Sequence, residues 1–378
     1  MRILFLCTYY HRAMIFRDSM NRLNELGHEV KAFNAVIKGE SIHEKYKGIM
    51  DDAVIHKECF TKWDRFFYFR KQKKFYNALL SSCDVKNYDM LHSHTLFNGG
   101  YVAYKIKKHF GIPYIVSVRD TDMNVFLRIP FYKKISDKII REAAGVQFLS
   151  QPYKEKFIDK YTSNDIKEHV EKKSTIIRNG LESFWLNNKA EVKRIEDKKS
   201  IKILSVCKIK KNKNLITTIK AIEKLIKMGY NVKFTVVGQV IDKNVLTCLE
   251  KSSFTNVIKF LPKEKLIDIY RDNDIYVMPS IHETFGRVYA EAMSQGLPII
   301  YSKGEGFDGI FEDGSVGYSV PSQDPDYIAD CIIKIIENYS DISSRCIEYC
   351  EEFDWEKISK KLDIFYKNAF LRAGGDAI

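Results

Sequence analysis

PSIHETFGRVYAEAMSQGLPII, residues 279–300, follows the apolar run Ile275-Tyr276-Val277-Met278 and ends by entering another such run. Two carboxylates, Glu283 and Glu291, bracket an aromatic, a glycine and an arginine. Paired carboxylates suggest the acid and nucleophile of a glycosidase. Helix geometry opposes that reading. Eight residues at 1.5 Å rise separate the two Cα atoms by about 12 Å along the axis, whereas glycosidase carboxylates act roughly 5 to 9.5 Å apart. The alternative places Glu283 just before a helix and Glu291 two turns into it. Thr284, Phe285, Gly286 and Arg287 then supply the unpaired N–H groups of a first turn, and a helix N-terminus after a strand binds anions. Gly286 lets a ligand approach the backbone closely. Two glutamates by themselves read equally as a capped surface helix with solvated acids.

Outward from this stretch, short apolar runs alternate with amphipathic segments, the pattern of parallel sheets with crossover helices. In the first half the predicted strands are Ile3–Cys7, Val30–Phe33, Met90–Ser93, Tyr114–Val118 and Val146–Leu149, with helices such as Phe16–Leu26 and Gly99–Lys108 between them. The hydrophilic stretch NNKAEVKRIEDKKS, 187–200, carries charges of both signs and has little to bury, so it reads as a linker. The alternation then restarts with Ile201–Cys207, Lys233–Val237, Val257–Phe260, Ile275–Met278 and Pro298–Tyr301. The expected organisation is a Rossmann-like domain over 1–186, the linker, and a second Rossmann-like domain over 201–354. A final amphipathic segment runs from Trp355 to Leu371.

A chain of 378 residues suits two domains. A hydrophobic content of 45% with 13% aromatics excludes a disordered chain. The formal charge of +12 favours an anionic partner: nucleotide phosphates, nucleic acid or an acidic membrane face. None of the eight cysteines forms a CxxC pair, and Cys7 and Cys207 sit in apolar runs. They read as reduced core thiols of a cytoplasmic protein. Ile3–Cys7 is too short for a signal peptide or a membrane span, and no other apolar stretch reaches spanning length. The chain is expected to be soluble and cytoplasmic, at most peripheral on the inner face of a membrane.

Residues 279–300 resemble, through their whole length, the E-x7-E signature of the retaining GT-B glycosyltransferases of glycosyltransferase family 4. The likeness includes the Glu-Ala-Met at 291–293 and the Gly-Leu-Pro at 296–298. It implies an α/β GT-B fold, two Rossmann-like domains facing a central cleft, with residues 355–378 crossing back onto the first. In that family the first glutamate, here Glu283, faces the donor sugar's hydroxyls, and the second, here Glu291, binds the nucleotide ribose. The backbone of Phe285, Gly286, Arg287 and Val288 would meet sugar hydroxyls and phosphate. An ionised carboxylate is acceptor-only, which suits two ribose hydroxyls. SVCKIKKNKN, 205–214, occupies the first βα turn of the second domain, where such folds hold phosphates. The family pattern there is V-G-R-L followed by K-N or K-G. Lys213-Asn214 matches the second part, while Lys208 stands for the usual arginine and Cys207 for the usual glycine. Lysine keeps the charge but loses the bidentate fork. Lys213 and Lys208 are expected to stabilise the leaving diphosphate. Gly238, closing FTVVGQ, and Leu261, in IKFLPKEKL, flank the nucleotide base by resemblance; turn punctuation explains each as well.

In the first half, HSHTLFNGG, 92–100, puts His92 and His94 on one side of a strand end, which makes a metal conceivable. No third ligand stands at a telling spacing, so none is expected. Relatives often carry a strand-end histidine near the acceptor, which makes His94 an acceptor-side candidate. SVRDTDMN, 117–124, spells the D-x-D of metal-dependent GT-A enzymes at Asp120-Thr121-Asp122, but that motif belongs to another fold. Family 4 commonly reads H-G-x-D here, so Arg119 replaces the histidine and Asp122 matches the aspartate; both are expected to line the active cleft. The first loop, Thr8-Tyr9-Tyr10-His11-Arg12, replaces the family's glycine pair with bulky residues, and Tyr9 is expected to reshape the acceptor pocket. RNG, 178–180, resembles the turn that precedes the interdomain linker.

FTKWDRFFYFRKQKKFY, 60–76, mixes eight aromatics with six basic residues and one acid. It reads as a helix packing aromatics on the core with a solvated basic face, or equally as an interfacial segment touching anionic lipid. No motif supports nucleic-acid binding. The expected activity is retaining transfer of a hexosyl group from a nucleotide-diphosphate sugar, UDP favoured over GDP, to a hydroxyl of a glycan or lipid-linked acceptor. Bacterial surface polysaccharide or glycolipid synthesis is the family's usual setting. No cofactor or metal is expected. The alternatives are a GT-B nucleotide-sugar epimerase and a non-catalytic nucleotide-sugar- or membrane-binding partner. A nicotinamide enzyme is disfavoured because neither βα turn carries G-x-G-x-x-G.

Overall fold

A computed structural model of the chain describes residues 1–10, 15–39 and 53–375. They form two compact units. Unit 1 comprises Met1–Leu149, Lys154–Gly180 and the chain from Trp355 onward; unit 2 comprises Ser150–Tyr153 and Leu181–Asp354.

Unit 1 holds seven strands: β1 (Arg2–Cys7), β2 (Glu29–Ile37), β3 (Val54–Phe60), β4 (Met90–Ser93), β5 (Tyr114–Ser117), β6 (Gly145–Phe148) and β7 (Ser174–Ile176). Their order is β3-β2-β1-β4-β5-β6-β7, and every pairing is parallel. Unit 2 holds β8 (Ser200–Val206), β9 (Asn231–Val237), β10 (Thr255–Ile258), β11 (Ile275–Val277), β12 (Ile299–Ser302) and β13 (Gly317–Val320). Their order is β10-β9-β8-β11-β12-β13, again all parallel. Strands covered by helices on both faces must be apolar on both. The central strands are: β1, β4, β5 and β12 bury nearly every side chain. In each sheet the order reverses beside the first strand, between β1 and β4 and between β8 and β11. Open α/β sheets bind ligands at the C-terminal strand ends flanking such a reversal.

Three strands went unpredicted: β3, β7 and β13. Each carries polar residues or a glycine in a short run, as VIHKECF, STI and GYSV do. Each is an edge strand, and edges need no continuous apolar run. The predicted boundary at 186 moves to 180, because the helix Ser183–Asn187 belongs to unit 2. Residues 187–200 are not a free tether. The Lys193 ammonium bonds the Asn273 carbonyl, Lys193 N–H donates to Ser343 Oγ at 3.0 Å, and Arg271 donates to the Asn188 carbonyl at 2.9 Å. The stretch is irregular chain laid on unit 2.

The last helix, Trp355–Arg372, belongs to unit 1. Its buried face, Trp355, Ile358, Leu362, Phe365, Tyr366 and Ala369, shares one core with Ile3, Phe5, Phe16, Met20 and Leu23. His28 Nε2 meets Asp363 Oδ1 at 2.9 Å, fixing the helix to the turn before β2. Among the described residues no helix is long and apolar enough to cross a membrane.

Candidate functional site

The site in unit 2 is built on the two loops that flank its strand reversal. After β8 the chain turns through Cys207–Asn214 into the helix Leu215–Lys227. After β11 it runs through Pro279–Gly286 into the helix Arg287–Ser294. Side-chain amides clip the loops together. Asn212 donates to the His282 carbonyl at 2.9 Å, and its own carbonyl accepts from Ile281 N–H at 2.9 Å. Asn214 donates to the Pro279 carbonyl at 3.0 Å and to the Ser322 carbonyl. Asn214 stands in the left-handed region, φ 54°, a conformation that asparagine tolerates better than most residues.

This bracing brings Lys213 Nζ to 2.5 Å from Glu283 Oε2, with the two side chains only 15% and 16% exposed. Lys208 is exposed in the same turn and does not share that enclosure. Glu283 is held from behind: its N–H donates to Glu305 Oε2 at 2.7 Å, and its carbonyl accepts from Gly306 N–H at 2.6 Å. Glu305 is a buried carboxylate that also accepts from Tyr153 Oη at 3.4 Å. Sequence reasoning did not single out Glu305 or Asn212 and named Asn214 only within the Lys213-Asn214 match; their partners lie on other loops, which spacing along one element does not show.

The second helix begins at Arg287, so Thr284 and Phe285 lie in the loop before it. Glu291 is its fifth residue, about one turn in rather than the two expected. Gly286 caps the helix at φ 75°, and a Cβ there would sit 2.4 Å from the Tyr289 ring. The N–H groups of Arg287 and Val288 open the helix with no carbonyl one turn back to receive them. The Phe285 side chain is buried against Phe307 and Phe353, which leaves only its backbone for a ligand. Tyr289 Oη donates to the Met278 carbonyl at 2.6 Å and ties the helix to the end of β11.

Glu291 accepts from Tyr270 Oη at 3.3 Å. Burial raises its carboxyl above the usual value, against the pull of Arg287 one turn earlier. Gly238 ends β9 so close to the first turn that a Cβ would lie 1.7 Å from the Cys207 carbonyl oxygen. Leu261 follows β10, half-buried, ahead of the helix Lys263–Arg271. Lys213, Glu283 and the N-terminus of Arg287–Ser294 thus lie on the loops of the switch point, with Glu291 one turn into that helix. An ammonium and opening helix amides attract a phosphate, while carboxylates accept from hydroxyls.

The strand ends of unit 1 carry a second polar cluster. His92 and His94 lie with ring centroids 4.1 Å apart but differ in bonding. Ser117 Oγ donates to Gln147 Oε1 at 2.6 Å, so His92 Nε2, 2.8 Å from that oxygen, must be the N–H. His92 Nδ1 then accepts from Tyr366 Oη at 2.6 Å. Burial keeps this ring neutral, its pKa well below the usual value. His94 is equally buried, yet neither of its ring nitrogens has a hydrogen-bond partner. Arg119 Nε donates to the His94 carbonyl at 3.3 Å and its Nη1 to Asn179 Oδ1 at 3.3 Å. His94, Arg119, Arg178, Asn179 and Trp355 line a cavity of about 20 Å³, room for about one water.

Asp122 departs from expectation. It is fully buried, and its carboxylate accepts from the N–H groups of Leu96 at 3.0 Å, Phe97 at 3.1 Å and Arg119 at 2.9 Å. Burial pushes the acid up to about 6, against those donors. It pins two loops together. Tyr9 packs its ring 5.2 Å from Phe16, and burial pushes the phenol up to about 12. His11 and Arg12 lie outside the described residues.

Comparison with known proteins agrees with this geometry. Residues 15–182 match the family described as Glycosyltransferase Family 4, and residues 187–353 match the one described as Glycosyl transferases group 1. The chain is 24% identical over 338 residues to an uncharacterised glycosyltransferase of Methanocaldococcus jannaschii, covering 83% of each. It is 29% identical over 126 residues to D-inositol 3-phosphate glycosyltransferase of Corynebacterium urealyticum, a match spanning 32% of this chain and 30% of that enzyme. Among solved structures it resembles sucrose-phosphate synthase of Thermosynechococcus elongatus, with TM-score 0.77 and 16% identity over 98% and 99% of the two chains. It also resembles Anabaena HepE in complex with UDP and glucose, with TM-score 0.69 and 15% identity over 96% and 98%. These likenesses identify the fold as GT-B.

Proposed function

We propose that the chain, a glycosyltransferase of the GT-B type similar to those of family 4, moves a hexosyl group, with retention, from a UDP-sugar to a hydroxyl of a glycan or lipid-linked acceptor. The observation that carries this reading is the enclosed Lys213–Glu283 pair beside the N-terminus of Arg287–Ser294. Lys213, with Lys208 at the mouth of the turn, takes the diphosphate. The opening amides of Arg287 and Val288 meet the same phosphates. Glu291 accepts from the ribose hydroxyls, and Glu283 with the Phe285–Gly286 backbone accepts from and donates to the sugar. Gly238 and Leu261 bound the base. UDP is favoured because HepE, of the same fold, was solved with UDP.

In the reaction the bond from the sugar's anomeric carbon to the diphosphate oxygen breaks. The acceptor oxygen bonds that carbon on the same face, and its proton passes to the departing phosphate. No protein base is assigned. Charge developing on the diphosphate is met by fixed cations and helix amides, which lower the barrier most when they are already in place. His94 and Arg119 stand on the acceptor side.

Thermal stabilisation by UDP, GDP and their sugars, without added metal, tests the reading. A ligand at about 100 times its dissociation constant adds roughly 2.7 kcal/mol. Stabilisation by one nucleotide family, lost in Lys213→Ala, is expected. Stabilisation by none of them removes the donor site.

A further inference from the structure

We propose that unit 1 docks on an anionic lipid bilayer through an aromatic, basic face formed by residues 62–70 and 125–134. The segment 60–76 neither packs wholly inward nor lies wholly on the surface. Phe60, Gln72 and Phe75 are buried. Trp63 is 70% exposed, Phe66 62%, Phe67 55% and Phe69 50%. A second segment continues the patch: Phe131 is 54% exposed and its ring lies 6.0 Å from Phe69. Contiguous apolar surface of this kind marks an interaction site, whereas single exposed side chains do not.

The outward direction is enforced. Asp64, buried, accepts from Thr61 N–H at 2.6 Å and Thr61 Oγ1 at 2.9 Å, and is neutralised by Lys74 at 2.7 Å and Arg70 at 3.3 Å. That knot fixes the turn Lys62–Phe66, on which Trp63 and Phe66 stand exposed. The Arg65 guanidinium lies 4.6 Å over the Phe66 ring. Lys62, Arg65, Arg70 and Arg128 are exposed around the aromatics.

Charge selects the occupant. A second copy of this chain would bring the same cationic face, on a chain of formal charge +12, against itself. Aromatic rings ringed by Lys and Arg suit instead the headgroup layer of an anionic bilayer, where the rings enter and the cations stay at the phosphates. The position suits it too. Residues 62–70 follow β3 and residues 125–134 follow β5, so the patch lies at the C-terminal strand edge of the parallel sheet. A cavity of about 220 Å³, lined by Thr8, Ile37, Phe60, Lys62, Arg65 and Lys71, joins it to the ends of β1, β2 and β3. A bilayer held there faces the same edge of unit 1 that carries His94 and Arg119.

Trp63 reports the contact by itself, because Trp185 and Trp355 are buried. The full chain is mixed with vesicles of phosphatidylcholine alone, or of three parts phosphatidylcholine to one part phosphatidylglycerol, and followed by sedimentation and tryptophan emission. Binding with a blue shift on the phosphatidylglycerol vesicles is expected, weakened by salt and weak on phosphatidylcholine alone. Each cation removed near an anionic surface weakens partition about fivefold, so Lys62→Ala/Arg65→Ala/Arg128→Ala should weaken it about a hundredfold. Phe66→Ser/Phe69→Ser/Phe131→Ser keeps Trp63 and should abolish the blue shift. All six positions are at the surface, and nucleotide-induced stabilisation should persist in both variants, which separates this test from that of the donor site. The proposal is overturned if the wild type does not sediment with the anionic vesicles at low salt, or if it binds both vesicles alike. It is overturned equally if light scattering shows a dimer that the phenylalanine variant dissolves, or if the face retains only an acidic protein and no vesicle.

Discussion

Glu283→Gln is expected to tighten nucleotide binding while crippling transfer. Lys213 Nζ lies 2.5 Å from Glu283 Oε2 in an enclosure that solvent barely enters. On the proposed reading the same ammonium meets the diphosphate at the usual charge-assisted distance of about 2.8 Å. The carboxylate and the phosphate then face each other across it at about 5 Å, where like charges repel by about 3 kcal/mol at an effective dielectric of 20. The phosphate has solvent on its other side, so about half of that survives, close to a tenfold effect on affinity. Glutamine has the shape of glutamate without the charge. UDP, which has no sugar for Glu283 to hold, should therefore bind Glu283→Gln about tenfold tighter by titration calorimetry. Transfer from the UDP-sugar should fall at least tenfold to a hundredfold, the worth of one lost charged hydrogen bond to the sugar. Lys213→Ala should weaken UDP, and adding Glu283→Gln to it should still recover about tenfold, because the carboxylate–phosphate repulsion that the glutamine removes does not depend on the ammonium. A cycle of the four proteins measures that independence. The reasoning is refuted if Glu283→Gln weakens UDP itself, which would put the carboxylate on the nucleotide. It is refuted also if Lys213→Ala leaves UDP binding unchanged.

The remaining predictions concern the two buried acids. Burial raises the Glu291 carboxyl, so its ribose-binding anionic form is lost earlier than usual on acidification. UDP affinity should fall on acidification at a pH above the ordinary glutamate value of about 4.3, and Glu291→Gln should bind more weakly with that slope removed. The stability sign is the reverse: with the folded pKa above the unfolded one, the native state holds the extra proton in that window, so this residue's contribution falls as pH rises through it. Urea unfolding of Glu291→Gln across the window should show that component gone. Asp122→Ala orphans three buried N–H donors at roughly 1–3 kcal/mol each, offset by no longer burying a reluctant carboxylate; a net loss of about 3 kcal/mol is expected in urea unfolding. An unchanged midpoint would mean that the loops of Leu96 and Arg119 are held by something else.

The central strands were legible because burial on both faces leaves no choice of residue: ILFLC and IIYS admit few other readings. Three of the four edge strands were not, since runs such as VIHKECF and GYSV meet a neighbour on one side only; β10, with its apolar end, was the exception. The donor turn was legible in part. Lys213, Glu283 and Glu291 stand in a pattern whose likeness to family 4 is local and dense, and the structure brings Lys213 and Glu283 into contact. What holds them was hidden, because it depends on pairs 70 and 22 residues apart, Asn212 with His282 and Glu283 with Glu305. Spacing along one helix cannot show such pairs. Asp122 misled for a related reason: a carboxylate matched to an active-site motif looks the same in sequence whether it faces a ligand or, as here, three amides of its own loops.

The Lys213–Glu283 cluster of unit 2 and the His92–His94 pair of unit 1 are bonded differently, and on the proposed reading that difference fits a division of labour. In unit 2 the Lys213 turn and the Glu283 loop are cross-bonded through Asn212, Asn214 and Glu305. On the proposed reading, the groups that would meet a diphosphate therefore have little freedom to lose when one binds, which is what a site for an unchanging leaving group needs. In unit 1, His92 is wholly satisfied by Tyr366 and Ser117, while its neighbour His94 has both ring nitrogens unanswered at the same depth. An orphaned buried polar group costs about 1–3 kcal/mol, and local rules broken in this way recur where a chain has a ligand to meet. Tyr366 comes from the last helix, so the element that completes the core of unit 1 also bonds one histidine of the pair and leaves the other without a partner. On the proposed reading, His94 is the imidazole of the two that the closing helix leaves able to meet an acceptor.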